Sequence, residues 1–145
     1  MWKKDDDWFW EGNVQQRLAI YFQNLGYDVT TADTFSKSRG IDITARRKSQ
    51  EVLIEVKGYP SDKYADGDKQ GRPKKTQPTL QAHHWFSDAL ITVIRRKSKS
   101  PNSIIAIGLP EFNRYLKLIE ETKWAFEKLE IHVFFVKQSG EVYKK

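Results

Sequence analysis

The 145-residue chain reads as a single α/β domain in which a central mixed β-sheet is flanked by helices. Three observations predict this. Two runs rich in β-branched residues, Ile41 to Arg46 and Glu51 to Gly58, are joined by the charged turn Arg47-Lys48-Ser49-Gln50, the pattern of an antiparallel hairpin. A long helical stretch then separates the second run from an apolar strand at Ser103 to Gly108, an order that favours parallel pairing through a crossover. Hydrophobic residues at 39% and aromatics at 13% supply a core for one domain and argue against disorder.

The balance of charge narrows the partners. Lys and Arg number 25 against 19 Asp and Glu, giving +6, which favours a polyanion such as DNA. A basic chain is by itself also compatible with binding no nucleic acid. The absence of cysteine excludes disulfides, thiolate metal sites and a cysteine nucleophile, and leaves the redox compartment open. No apolar run approaches the roughly 18–20 residues of a membrane span. Met1 to Asp7 lacks a signal-peptide core, so a cytoplasmic protein without a membrane partner is expected.

Taken in order, Trp2 to Trp10 mixes aromatics with Asp5, Asp6 and Asp7. Neighbouring side chains diverge, so these acids read as a solvated run near a helix N-terminus, with Trp8, Phe9 and Trp10 packing the helix start. Val14, Leu18, Tyr21, Phe22 and Leu25 then recur at helical spacing from Glu11 to Leu25, and Gly26 is placed as a stop. Glu11 falls on the inward face of that helix; a first-turn acid stabilised by the helix dipole is its plainer reading. Tyr27 to Thr31 reads as a first strand. Thr34 to Gly40 is a polar loop whose Lys37 and Arg39 suit either phosphate contact or a solvated turn.

After the hairpin, residues 59–79 form a long segment without evident secondary structure. Its second half carries Lys69, Arg72, Lys74 and Lys75, and it reads as a mobile basic flap that contacts the DNA backbone, or as plain disorder. Thr76 or Thr79 caps the next helix, with Pro78 near its first turn. That helix runs from Leu80 to Ile94 and meets Arg95-Arg96-Lys97-Ser98-Lys99, cations that the helix C-terminus favours for structural reasons alone. His83 and His84 diverge by about 100°, which argues against joint chelation and leaves them as packing or DNA-proximal residues. Pro110 opens a helix from Glu111 to Lys128 with Phe112, Tyr115, Leu116, Ile119, Phe126 and Leu129 inward. Glu130 to Val136 is a last core strand, with His132 a half-buried strand residue, and Ser139-Gly140 turns into Glu141-Val142-Tyr143.

The hairpin carries the chemistry. Strand side chains alternate, so Glu55 and Lys57 share a face with Leu53, and Asp42 shares one with Thr44 and Arg46. If those faces coincide, Asp42, Glu55 and Lys57 form an acid–acid–lysine cluster. Two close carboxylates repel unless a cation lies between them, and an all-oxygen set suits a hard divalent ion. The same three residues equally describe the wet face of a mixed-charge hairpin.

Asp42 followed thirteen positions later by Glu55-Val56-Lys57 between apolar residues resembles the PD-(D/E)xK nuclease superfamily, with Ile41 standing where the motif's name has proline. Glu11 early in the first helix and Gln81 early in the helix after the hairpin resemble the branch of Mrr-like restriction enzymes and archaeal Holliday-junction resolvases. The resemblance implies a restriction endonuclease-like core, α-β-β-β-α-β, with an extra helix before the last strand. It implies a Mg²⁺-dependent endonuclease acting on DNA, with Mn²⁺ as a substitute. Asp42, Glu55 and the Val56 carbonyl would hold the ion, Glu11 would hold the same ion, a second one or a bridging water, Lys57 would orient or deprotonate water, and Gln81 would position water or phosphate. Many relatives act as dimers, so a homodimer is compatible. The competing readings are a nuclease fold kept for nucleic-acid binding without cleavage, and a structural subunit with an incidental cluster.

Overall fold

The hydrophobic spacing of the chain produces two apolar layers on one sheet. In the computed structural model, which describes residues 2–33, 40–64, 67–75 and 77–145, a short 3₁₀ turn (Lys4–Asp6) leads into α1 (Glu11–Asn24). Then follow β1 (Asp28–Thr31), β2 (Ile43–Arg47), β3 (Gln50–Val56), α2 (Pro78–Lys99), β4 (Ile104–Pro110), α3 (Asn113–Lys128), β5 (Ile131–Val136) and β6 (Val142–Lys144). Among the described residues the strands form one six-stranded sheet in sequence order. β1, β2 and β3 are antiparallel, β3, β4 and β5 are parallel, and β6 returns antiparallel to β5. This is the expected mixed sheet, extended by a sixth strand where the sequence predicts only a turn and a tail.

Val14, Leu18 and Phe22 of α1 pack on Ile43, Ala45, Ile54 and Val56, filling one face of the sheet. Ala82, Phe86, Ala89 and Val93 of α2, with Tyr115, Ile119 and Phe126 of α3, cover the other against Ile105, Ile107, Val133 and Phe135. Each fully buried large apolar side chain contributes roughly 1.5–3 kcal/mol. Exposed ion pairs such as Lys123–Glu127, at 3.7 Å, contribute about 0–1 kcal/mol, so the two layers hold the sheet.

Several expected boundaries move. Leu25 and Leu129 are 46% and 47% exposed, because each is the C-cap residue where its helix has ended. Pro110 closes β4 instead of opening α3; Glu111 donates its N–H to the Val136 carbonyl, continuing the β5 side by one residue before the helix begins. Gln77 is the N-cap of α2, Thr79 lies inside the helix, and Thr76 is outside the described residues. The hairpin turn shrinks to Lys48-Ser49, since Arg47 and Gln50 pair across the strands. Within 59–79 the described residues fold back on themselves: the Tyr64 N–H donates to the Arg72 carbonyl, and the Lys74 N–H to Asp62.

Candidate active site

The site forms where β2 begins and β3 ends. Ile43 pairs with Ile54, which sets Asp42, one residue before β2, beside Glu55. Asp42 is fixed there by its Oδ2, which accepts the Val56 N–H at 2.7 Å, and the Glu55 carboxyl hydrogen-bonds to it in turn. Leu53 and Glu55 share the sheet face that α2 covers, and they are 5% and 8% exposed. A wet hairpin face is therefore excluded for Glu55.

Lys57 leaves the end of β3 on that same face. Its backbone N–H donates to the Gly108 carbonyl, carrying the β3–β4 ladder one residue past β3. Its Nζ lies 2.7 Å from Asp88 Oδ2 on α2, with the lysine side chain only 17% exposed. Glu11 arrives from the opposite layer, and Gly58 makes its approach possible. A Cβ at Gly58 would sit 2.5 Å from the Phe9 carbonyl oxygen and 2.6 Å from the Glu11 nitrogen. Only a residue without a side chain admits the backbone that close. The contact is clamped on both sides: the Tyr59 N–H donates to the Phe9 carbonyl at 2.9 Å, and the Tyr115 hydroxyl to the Gly58 carbonyl at 2.8 Å.

These neighbours set the protonation states. Burial, then the charge of Asp42, raises Glu11 to about 7 against the partial relief of Lys57. Burial, then the hydrogen bond to Asp42 and its charge, holds Glu55 well above the ordinary carboxylate range. Burial opposes the Lys57 ammonium, but the hydrogen bond to Asp88 and the charges of Glu55, Asp88 and Glu11 outweigh it and raise its pKa. The cluster thus carries surplus negative charge that a proton relieves. A hard divalent cation would relieve the same charge, and the donor set of carboxylate and carbonyl oxygens fits one. Among the described residues no three acidic or histidine side chains converge as a finished cage; Asp42 and Glu55 bond to each other.

Gln81, in the first turn of α2, lines a cavity of about 350 Å³ together with Glu11. Among the described residues its Oε1 accepts from Lys74 Nζ at 3.2 Å, so it flanks the carboxylates without bonding them. Lys74 is thereby half-buried and Lys69 sits over the Tyr64 ring at 5.4 Å, while Arg72 and Lys75 are exposed. Lys37 and Arg39 lie outside the described residues. His83 is exposed beside Arg114, and His132 is half-buried in β5. Asp5 and Asp6 lie in the 3₁₀ turn before α1, Trp8 and Phe9 pack on Phe112 at the start of α3, and the Trp10 ring lies against Gly12 in the first turn of α1.

Sequence reasoning passed over Asp88 and gave Arg95 to Lys99 a structural role. Asp88, Arg95, Arg96 and Lys99 in fact line a second cavity of about 520 Å³ with Glu55. The signal was available. Asp88 follows Gln81 by seven positions and Arg95 by fourteen, which sets all three along one helical face.

No protein-family model matches the chain. No curated protein matches it in sequence. Among solved structures it is similar to the crystal structure of an XisH family protein from Nostoc punctiforme PCC 73102, at 13% identity and a TM-score of 0.53 over 90% of this chain and 95% of that one. At that identity the likeness carries the fold, which is restriction endonuclease-like.

Proposed function

We propose that this protein is a metal-dependent endonuclease that hydrolyses DNA phosphodiester bonds, of the Mrr-like and Holliday-junction-resolvase branch of the PD-(D/E)xK nucleases. One observation carries the reading: Glu11, Asp42, Glu55 and Lys57, from both sides of the sheet, meet at one end of it in a single electrostatic cluster. Asp42 and Glu55, with the Val56 carbonyl, would hold Mg²⁺ or Mn²⁺, and Glu11 would join them there or at a second ion. Such an ion supplies Lewis acidity at the phosphate and acidifies bound water. Lys57, kept as an ammonium by Asp88 and the acids, offsets charge growing on the phosphate and orients the attacking water. Gln81 positions water or phosphate from the Glu11 side.

A second reading, binding without cleavage, is favoured by the same Lys57–Asp88 pair, which leaves the lysine engaged with a protein carboxylate. Supercoiled plasmid and a four-way junction incubated with Mg²⁺, Mn²⁺ or EDTA separate the two. The nuclease reading expects metal-dependent nicking that Asp42→Ala and Lys57→Ala each reduce at least a hundredfold. Salt-sensitive binding with no cleavage in either metal would establish the second reading.

A further inference from the structure

Two cavities each reach one carboxylate of the cluster, and their linings differ. Glu55 opens into the larger, about 520 Å³, where Arg95, Arg96 and Lys99 stand along α2. Cations in a row suit a phosphate backbone. Glu11 opens into the other, about 350 Å³, bounded by the rings of Phe9, Trp10, Tyr59 and Trp85, by the acid Asp7, and by Lys74 and Gln81. Phe9 and Tyr59 are already packed, each on Phe112, with ring centroids at 5.3 and 3.9 Å. Trp85 differs from them. Half-buried beside the cavity, its indole has no ring partner among the described residues. An indole without a ring partner, lining a cavity beside an amide and an ammonium, offers what a single base requires, stacking plus a hydrogen bond at its edge. A base inside a continuous duplex reaches such a recess only by leaving its stack, at a cost of about a few kcal/mol that an unpaired base is spared.

We propose that this cavity takes an unpaired nucleobase next to the scissile phosphate, stacked on Trp85, with Gln81 at its edge and the flanking backbone along Arg95, Arg96 and Lys99. The substrate class is then DNA carrying an unpaired nucleotide (a single strand or a flap) in preference to continuous duplex. The position of the scissile phosphate rests on the nuclease reading above; the base pocket itself does not.

The test uses the full chain and three fluorescein-labelled probes, read by anisotropy in EDTA so that nothing is cleaved. They are a blunt duplex, the same duplex with a thymidine flap, and one whose flap nucleotides are abasic. The flap is expected to bind roughly tenfold tighter than the blunt duplex, the order of one stacked base. The abasic flap is expected to lose that advantage, and so is Trp85→Ala, while Trp85→Phe keeps most of it. Equal affinity for the thymidine and abasic flaps, or for flap and blunt duplex, overturns the pocket. The abasic arm uses the wild-type chain, so it decides even if Trp85→Ala misfolds. Adding Mg²⁺ or Mn²⁺ to the same probes separates the two readings. Flap preference without cleavage keeps the pocket and overturns the nuclease, whereas equal binding and cleavage of all three probes keeps the nuclease and overturns the pocket.

Discussion

At Glu11, burial and the charge of Asp42 raise the carboxyl from 4.5 to about 7, so across that interval the folded chain holds a proton that the unfolded chain has released. The folded state binds more protons there, and stability therefore falls as pH rises from 4.5 through 7. A neutral amide removes the penalty. Glu11→Gln is expected to match wild type near pH 4.5 and to be more stable at pH 8 by about 1–3 kcal/mol, from roughly 1.4 kcal/mol per unit discounted for partial exposure. Thermal melts at the two pH values check this; a difference that is the same at both would contradict it. If the cluster holds Mg²⁺, the ion should raise the melting temperature of wild type at pH 8 more than that of Glu11→Gln. Residues of this kind were legible because a motif ties Asp42, Glu55 and Lys57 together, and because Glu11 and Gln81 sit early in helices where the resembled family has them. Asp88 and Trp85 were not. Each matters only through what folding places opposite it, Lys57 for one and an open cavity for the other.

Between elements, the joint that matters is the one at Gly58, where α1 begins against the end of β3. A methyl group there would overlap the Phe9 carbonyl and the Glu11 nitrogen, both backbone atoms, while the Tyr59 N–H holds the Phe9 carbonyl and the Tyr115 hydroxyl holds the Gly58 carbonyl. Backbone cannot swing aside as a side-chain end can. Gly58→Ala is expected to destabilise the fold by about 1–3 kcal/mol, the range for overpacking a well-filled site. It should also push Glu11 away from Asp42, so that the pH dependence predicted for Glu11 shrinks in the same variant. A urea midpoint unchanged from wild type would show that the joint is looser than its distances imply. The helices and strands themselves were readable from period alone, since α1, the β2–β3 hairpin and β4 each bury the residues their spacing selects. What period could not give was their ends. Leu25 and Leu129 continue the apolar spacing past the last turn, and Pro110 can end a strand as readily as precede a helix.

Across the whole molecule the surplus of +6 is unevenly useful, and its distribution yields a further test. A larger cavity, about 660 Å³, lies at the far end of the sheet by the starts of β4 and β5. There Lys97, Lys123 and Lys145 are interleaved with Glu120, Glu127 and Glu130. Mixed signs at close range cancel for a polyanion, so size is a poor guide to where DNA sits. At the Glu55 end, Arg95, Arg96 and Lys99 line the cavity with Asp88 and Glu55 as its acids, both turned toward the lysine and carboxylate cluster. Each cation that neutralises a phosphate releases counterions and adds close to one to the slope of log affinity against log salt. Combined Arg95→Ala, Arg96→Ala and Lys99→Ala substitutions are thus expected to flatten that slope by about two to three, and to weaken binding to all sequences alike. Replacing Lys123 and Lys145 together should leave the slope within error of wild type. Salt titrations of a labelled duplex with the three proteins decide it. Equal flattening by both sets would mean that net charge, and not the α2 groove, draws DNA to the chain.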